Sequence, residues 1–400
     1  KWTMGEIVRK FAAQYINKYD PPYRIKTILE HIANCRTAAL GGHKTTCTAC
    51  NYTTYNYNSC GDRNCPQCQT IKKQIWVEKM NHHLLPIKHF HVIFTLPHEL
   101  NDLIFYNQKQ MYNLFFQVVW KTIQTVTKNN TTGAVAVLHT WGSNMSYHPH
   151  IHCIIPTGSW DKKHWINHTR QGSRFYCKIE RLTKIYRDLF IKMTTQFIEN
   201  ETIFYPTENQ ELELKKIEKG FKKNWTIRVE TPILGTQQII EYLSRYIYRT
   251  AITNSRIEKI TDQTVTINYK KYAEQKAGEA PPTDYMTFDG VDFIQRFTQH
   301  ILPIRFQRIR YYGCYAWTNK SLLELIYLKL TTTQKPPYKK SNKRNLISKL
   351  IGFDPDYCNN CGAFQHFITD ILATDTSKIF SITQKNPSIK IRANPTNIAS

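Results

Sequence analysis

The chain has 400 residues, room for two or three domains and a sizeable core, and sets 54 lysines and arginines against 30 acidic residues, a net charge of +24. An excess this large points to a polyanionic partner, nucleic acid first. No apolar run approaches the ~20 residues of a membrane-spanning helix and no stretch has the layout of a secretion signal, so a membrane partner is not expected.

Eleven cysteines, an odd number gathered in clusters, read as metal ligands in a reducing cytoplasm rather than as disulfides. Phe, Trp and Tyr make up 13% of the residues, which suits stacking on unpaired bases.

In chain order, Ile7, Val8, Phe11, Tyr15 and Ile16 recur at helical spacing, and Asp20-Pro21-Pro22 breaks the run; a second short helix is predicted over 25–34. Cys47-x2-Cys50 and Cys65-x2-Cys68 follow, with fourteen residues between the pairs. Four thiolates satisfy tetrahedral zinc with no open position, so these four are expected to form one structural zinc site. His31, Cys35, His43 and Cys60 lie around it, as candidates for a second site or for exchange with one of the four. Cys35 and Cys60 read equally well as plain buried thiols.

Residues 88–96 read as a strand and 101–127 as a long amphipathic helix. The next stretch carries the chemistry. Residues 134–141 are a strand by composition, Gly142-Ser143-Asn144 is turn chemistry, and Tyr147 to Pro156 reads as a second, buried strand with histidines at 148, 150 and 152. Alternate residues of a strand share a face, and an antiparallel hairpin about the turn puts His139 opposite His150. His139, His150 and His152 are therefore the expected ligands of one divalent ion, with His148 in reserve.

A polar excursion (159–175), a helix (178–200), a strand (225–230) and a turn at 232–235 come next. In a helix over 237–250, Ile240, Leu243, Ile247 and Ala251 form a core stripe. Tyr242 and Tyr246, four apart, share a face beside it. Arg245 and Arg249 flank them, and Gln238, one turn before Tyr242, is a further reserve ligand. Residues 265–269 read as a last strand. Residues 293–310 combine aromatics with Arg296, Arg305, Arg308 and Arg310; these four, with Arg245 and Arg249, are the candidate DNA contacts. A basic, proline-containing linker covers 334–344. Beyond it Cys358-x2-Cys361 is half a knuckle, which needs His366 or residues from elsewhere to close a site. The expected domains are 1–85 (helical and zinc-binding), 86–330 (nuclease) and 331–400 (linker and C-terminal C-x2-C segment).

Histidines on a strand with tyrosines on a helix, in a strongly basic chain, suggest phosphodiester chemistry, with a tyrosine oxygen attacking phosphorus beside a divalent ion. Two other readings stand beside it. One is a non-catalytic zinc-dependent DNA-binding protein with packing tyrosines; the other is a metal-dependent nuclease that activates water.

The motifs together resemble the IS91 group of insertion-sequence transposases, relatives of the helitrons and members of the HUH endonucleases. Residues 35–69 resemble the family's zinc-binding region, including Tyr57-Asn58-Ser59-Cys60 and Arg63-Asn64-Cys65-Pro66-Gln67-Cys68-Gln69. His139 with His150-Ile151-His152 resembles the nuclease core, Tyr242-Leu243-Ser244-Arg245-Tyr246 the tyrosine motif, and 293–313 the downstream arginine-rich segment. The family usually has His where this chain has Asn64. The resemblance implies an α+β fold, an HUH core of antiparallel sheet with covering helices plus an N-terminal zinc-ribbon-like module. It implies a rolling-circle-like transposase that acts on single-stranded or hairpin DNA ends through a 5′-phosphotyrosine at Tyr242 or Tyr246. Mg²⁺ or Mn²⁺ is implied at the histidines and Zn²⁺ at the cysteines, in a cytoplasmic, nucleoid-associated bacterial protein.

Overall fold

The computed structural model describes residues 2–128, 131–168, 175–200, 203–207, 209–230, 248, 250–275, 279–364 and 366–373. The architecture is α+β with antiparallel sheets, as the family resemblance implies. Strands in chain order are β1 (Gly42–Cys47), β2 (Thr53–Tyr57), β3 (His89–Thr95), β4 (Gly133–Trp141), β5 (Tyr147–Pro156), β6 (Gly158–Trp160), β7 (Trp165–Asn167), β8 (Ile227–Val229), β9 (Ile257–Ile260), β10 (Thr264–Lys270), β11 (Thr283–Asp289), β12 (Ile309–Gly313) and β13 (His366–Ile371).

The central sheet has five strands in the order β12-β4-β5-β3-β8. Strand alternation divides its side chains cleanly between two faces. Phe90, Val92 and Phe94 of β3, Ile151, Cys153 and Ile155 of β5, and Ala134, Ala136 and Leu138 of β4 lie in one buried core. Phe115, Phe116 and Val119 of α5 (Gln108–Val126) and Leu182, Tyr186 and Phe190 of α6 (Ile179–Glu199) complete that core. The opposite face is shared. At one end Val135, Val137 and Ile154 pack with Trp76, Val77 and Met80 of α3 (Gln69–His83) and with Tyr315, Leu323 and Ile326. At the other end the same face carries histidines.

A third core joins distant parts of the chain. Ile7, Val8 and Phe11 of α1 (Met4–Tyr19) and Ile25, Leu29 and Ile32 of α2 (Tyr23–Asn34) pack with Val265, Ile267, Phe293, Ile294 and Phe297. Thr3 caps α1 in a reciprocal capping box with Glu6, and Asp20 ends it in the left-handed region, as the Asp20-Pro21-Pro22 signal predicts.

The structure corrects several expectations. The helix predicted over 101–127 is two, α4 (Asn101–Tyr106) and α5, because buried Asn107 leaves helical geometry. Its side-chain amide donates to the carbonyls of Leu103 and Phe204 and accepts from Phe204 N–H, tying down the chain that follows α6. Residues 265–269 are not the last strand: β10 lies between β9 and β11, and β12 and β13 follow. The helix α7 (Gln210–Lys222) and the hairpin β1–β2 are further elements that the sequence reading did not predict. The helix predicted over 237–250 falls almost wholly outside the described residues.

Candidate functional site

Strands β4 and β5 form an antiparallel hairpin with His139 paired to His150 and Val137 paired to His152, and a bulge between His139 and Trp141. His139 and His152 are buried, while His150 is half-buried. One ring nitrogen of each of these three histidines lies within 4.8 Å of the others. The ring centres are 4.7 Å (His139–His152), 4.9 Å (His150–His152) and 5.4 Å (His139–His150) apart. Trp141 stacks on His139 at 4.6 Å and walls the cluster. The ring of His148 stands 5.3 Å from that of His150 but is not one of the converging three.

The protonation state of His150 suits metal ligation. Burial pulls His150 down to about 4, so its imidazole is neutral at pH 7, the form that ligates metal. Nδ1 of His150 donates to the His148 carbonyl at 2.7 Å, which makes Nε2 its lone-pair nitrogen. His152 is fixed by a longer relay. Its Nδ1 meets Nε2 of His91 at 2.9 Å, with the two rings within 4° of parallel, and Nδ1 of His91 meets Oε2 of Glu230 at 2.8 Å. One donor order satisfies the whole chain: His91 donates to the carboxylate and accepts from His152. His91 reaches His152 because β3 pairs with β5 with Ile93 opposite His152, which puts His91 on the same sheet face. Glu230 follows β8 on the other flank, where its N–H donates to the His91 carbonyl at 2.9 Å. Three imidazoles converging this way have the donor set that would hold a divalent ion.

The cysteines form two four-thiolate groups among the described residues. Cys35, Cys60, Cys65 and Cys68 converge in one; Cys47, Cys50, Cys358 and Cys361 converge in the other. The single group expected from Cys47, Cys50, Cys65 and Cys68 is therefore split. The cause is the β1–β2 hairpin. Cys35 precedes it, and Cys60, Cys65 and Cys68 follow it, all at its base. Cys47 and Cys50 sit at its tip, and a six-residue strand spans roughly 20 Å. At the base, Sγ of Cys68 is 3.4 Å from that of Cys35 and 3.5 Å from that of Cys60. Hydrogen bonding with the neighbouring thiols, Cys35 foremost, holds Cys68 below the ordinary thiol range. Four sulfurs around zinc at about 2.3 Å stand roughly 3.8 Å apart, so both groups have the size that zinc needs. His43 lies exposed on β1 opposite Asn56 and Asp370 and belongs to neither group, and His31 faces Asp62 at 3.1 Å.

Tyr242 and Tyr246 lie outside the described residues, as do Gln238, Arg245 and Arg249. The remaining candidate arginines do not form one patch. Arg305 and Arg310 line a groove with Lys109, Asn113 and Phe306, and Arg310 stacks 4.2 Å from the Phe116 ring centre while it donates to Asn113. Arg308 lines a separate small pocket with Arg63, Trp141 and His300, where burial, then the Arg63 charge, lowers it to about 10. Arg296 is exposed and rests 5.0 Å from the Phe288 ring centre. The sequence reading passed over His91, Glu230 and Arg63. The signal for His91 was present in His89-Phe90-His91, a second alternation of histidines on a strand.

Comparison with known proteins follows the same division. Residues 7–96, which hold the base cysteine group, match the family described as "Transposase zinc-binding domain". Residues 133–322, which hold the histidine hairpin, match the family described as "Putative transposase". The chain is 33% identical over 326 residues to "Putative transposase y4qJ" of Sinorhizobium fredii, covering 78% of this chain and 79% of that one. It is 25% identical over 350 residues to the transposase for insertion sequence element IS801 of Pseudomonas savastanoi pv. phaseolicola, covering 85% and 82%. No solved structure matches the chain. On these matches, the chain belongs to the IS91 family of transposases.

Proposed function

We propose that this transposase nicks and rejoins single-stranded transposon ends through a 5′-phosphotyrosine, beside a divalent cation held by His139, His150 and His152. The observation that carries the reading is the convergence of those three imidazoles across the β4–β5 hairpin, inside the span matched by a transposase family. Mg²⁺ or Mn²⁺ suits the site in the cell, and imidazole ligands favour Mn²⁺ of the two. When bound, such an ion polarises the scissile phosphate and offsets the charge that develops there. Zn²⁺ is assigned to Cys35, Cys60, Cys65 and Cys68, whose residues fall within the zinc-binding match.

The chain's own residues account for the rest. Glu230 and His91 hold the tautomer and orientation of His152, and the His148 carbonyl does the same for His150. The Tyr242 phenol gives up its proton and its oxygen bonds to phosphorus. The bond from phosphorus to the 3′ oxygen breaks, and that oxygen takes up a proton to become a 3′-hydroxyl. The 5′ phosphate remains on tyrosine, so the bond energy is kept and a free 3′-hydroxyl can reverse the step on the same or another strand. Basic residues, Arg305 and Arg310 among them, neutralise the DNA backbone.

The test is to incubate labelled single-stranded DNA carrying a transposon end with the protein and Mn²⁺, then denature. A labelled band at the summed mass of protein and DNA fragment is expected, absent with chelator and absent in the His150→Ala/His152→Ala variant. Cleavage without that band indicates water as nucleophile; binding with neither indicates a non-catalytic DNA-binding protein. Either result overturns the proposal.

A further inference from the structure

We propose that Cys47, Cys50, Cys358 and Cys361 hold a second structural zinc, which clasps the C-terminal segment of the chain onto the N-terminal module. The sulfurs of Cys47 and Cys361 are 3.6 Å apart, and those of Cys50 and Cys358 are 3.7 Å apart. All four lie within 4.8 Å of one another. These spacings are near the edge of a zinc–thiolate tetrahedron and well beyond a disulfide bond.

The backbone at the two pairs is an independent observation. Cys47 N–H donates to the Tyr52 carbonyl at 2.9 Å, and Asn51 N–H returns to the Cys47 carbonyl at 2.9 Å. Cys358 N–H donates to the Ala363 carbonyl at 2.9 Å, and Gly362 N–H returns to the Cys358 carbonyl at 2.8 Å. The donor–acceptor offsets are the same in both. Each turn ends on a residue in the left-handed region, Asn51 at φ 56 and Gly362 at φ 72, as Asn and Gly tolerate. Two copies of one C-x2-C knuckle thus face each other, from stretches more than three hundred residues apart. Asn360 adds donors to the thiolates, its backbone N–H to Cys358 at 3.4 Å and its side-chain amide to Cys50 at 3.6 Å.

The strands that lead to the knuckles are built for each other. β13 pairs with β1 along its full length, from Gly42 opposite Ile371 to Cys47 opposite His366. A Cβ at Gly41 would stand 2.6 Å from the Ile371 carbonyl oxygen, so the close approach of the C-terminal strand needs glycine there. The zinc-binding match spans 7–96 and stops far short of Cys358. By this assignment the N-terminal module is two ligands short by itself, and residues beyond both matched families complete it. Metal binding then contributes directly to folding, because it joins ends that the unfolded chain keeps far apart.

The test uses the full chain as purified. Iodoacetamide labelling read by mass spectrometry, during stepwise chelation, is expected to find Cys358 and Cys361 protected together with Cys47 and Cys50, all four becoming reactive as one equivalent of zinc leaves. Zinc content should fall by one equivalent in Cys47→Ser/Cys50→Ser, by one in Cys358→Ser/Cys361→Ser, and still by only one when all four are replaced. Labelling of Cys358 and Cys361 before any zinc leaves, or a loss of two equivalents in the quadruple variant, would overturn the proposal. The labelling arm needs no substitution, so it decides the matter even where a variant fails to fold.

Discussion

Nδ1 of His91 donates to Oε2 of Glu230 at 2.8 Å, and through this bond and the 2.9 Å bond between His91 and His152 a carboxylate on the flank of the sheet acts on a histidine two strands away. Outer-shell partners of this kind fix ligand tautomers, and their loss typically costs ~10–100-fold in metal affinity. Glu230→Ala is therefore expected to weaken Mn²⁺ binding at the histidine site by about that factor while the chain keeps its zinc. Titration calorimetry against Mn²⁺ gives the affinity. Adduct formation in the variant should recover at higher Mn²⁺; a defect that persists at saturation would give Glu230 another role. His91→Gln, which keeps an acceptor for His152, should be milder than His91→Ala.

Histidines away from the proposed metal site are expected to make the fold acid-sensitive. Burial pulls His89 and His300 down to about 4 from the ordinary 6.5. His89 is boxed in by the Ile87 carbonyl and the Tyr315 hydroxyl, and His300 by Thr140 and the Met145 carbonyl. Between pH 6.5 and 4 the unfolded chain binds more protons at these rings than the folded one, so stability falls as pH falls through that window. A shift of this size corresponds to roughly 3 kcal/mol for one ring across the full window. Denaturant midpoints measured from pH 7 to pH 4 should decline steeply. His300→Gln, which retains a donor and an acceptor, should flatten the decline; an unchanged slope would remove His300 from the account.

Local pattern explains what the sequence could and could not reveal. The histidine hairpin was legible because two signals act over short range: turn chemistry at Gly142-Ser143-Asn144 fixes the register, and strand alternation fixes the face. Helix α1 was legible for the same reason, through its apolar spacing and the break at Asp20-Pro21-Pro22. The cysteine grouping was not, because ligand sets are decided by tertiary distance. Two C-x2-C pairs fourteen residues apart look like partners until a hairpin between them carries one pair to its tip. The matching Asn51 and Gly362, each following its second cysteine by one residue, were the trace that related Cys47-x2-Cys50 to Cys358-x2-Cys361. The relay from His152 to Glu230 crosses three strands, and no sequence spacing encodes it.

DNA affinity should depend steeply on salt. A net charge of +24 implies many phosphate contacts, and each neutralised phosphate adds about −0.7 to the slope of log affinity against log salt on a single strand. Arg305 and Lys109 line the groove beside Phe306 with exposed charge on offer. Arg305→Ala is expected to weaken binding similarly for all sequences and to reduce the slope by roughly 1. Fluorescence anisotropy at several salt concentrations measures both. A sequence-dependent loss with an unchanged slope would mean that Arg305 reads bases instead.

The tyrosines give the most direct test of the covalent step. Tyr242 and Tyr246 are four apart, so on the proposed helix both would present to one side and would approach the one proposed metal site. Tyr248, at φ 54, lies in the left-handed region, so the predicted helix does not run through it. Its ring packs, partly buried, against the core that contains Val135, Val137 and Tyr315, with the Arg308 guanidinium 5.8 Å from its centre. Tyr242 is the expected first nucleophile, since it matches the first tyrosine of the family motif, and Tyr246 the acceptor of the second strand. Phenylalanine keeps the ring and its packing and removes only the attacking oxygen. Tyr242→Phe should keep its zinc and its DNA affinity and yet form no adduct on single-stranded DNA, a loss of at least ~10³-fold if the covalent route carries the reaction. Tyr246→Phe should still form the first adduct and fail in strand transfer to a second oligonucleotide. An adduct that survives Tyr242→Phe and vanishes in Tyr246→Phe would exchange the two roles. Adducts surviving in both single variants and in the double variant would remove these tyrosines from the chemistry altogether.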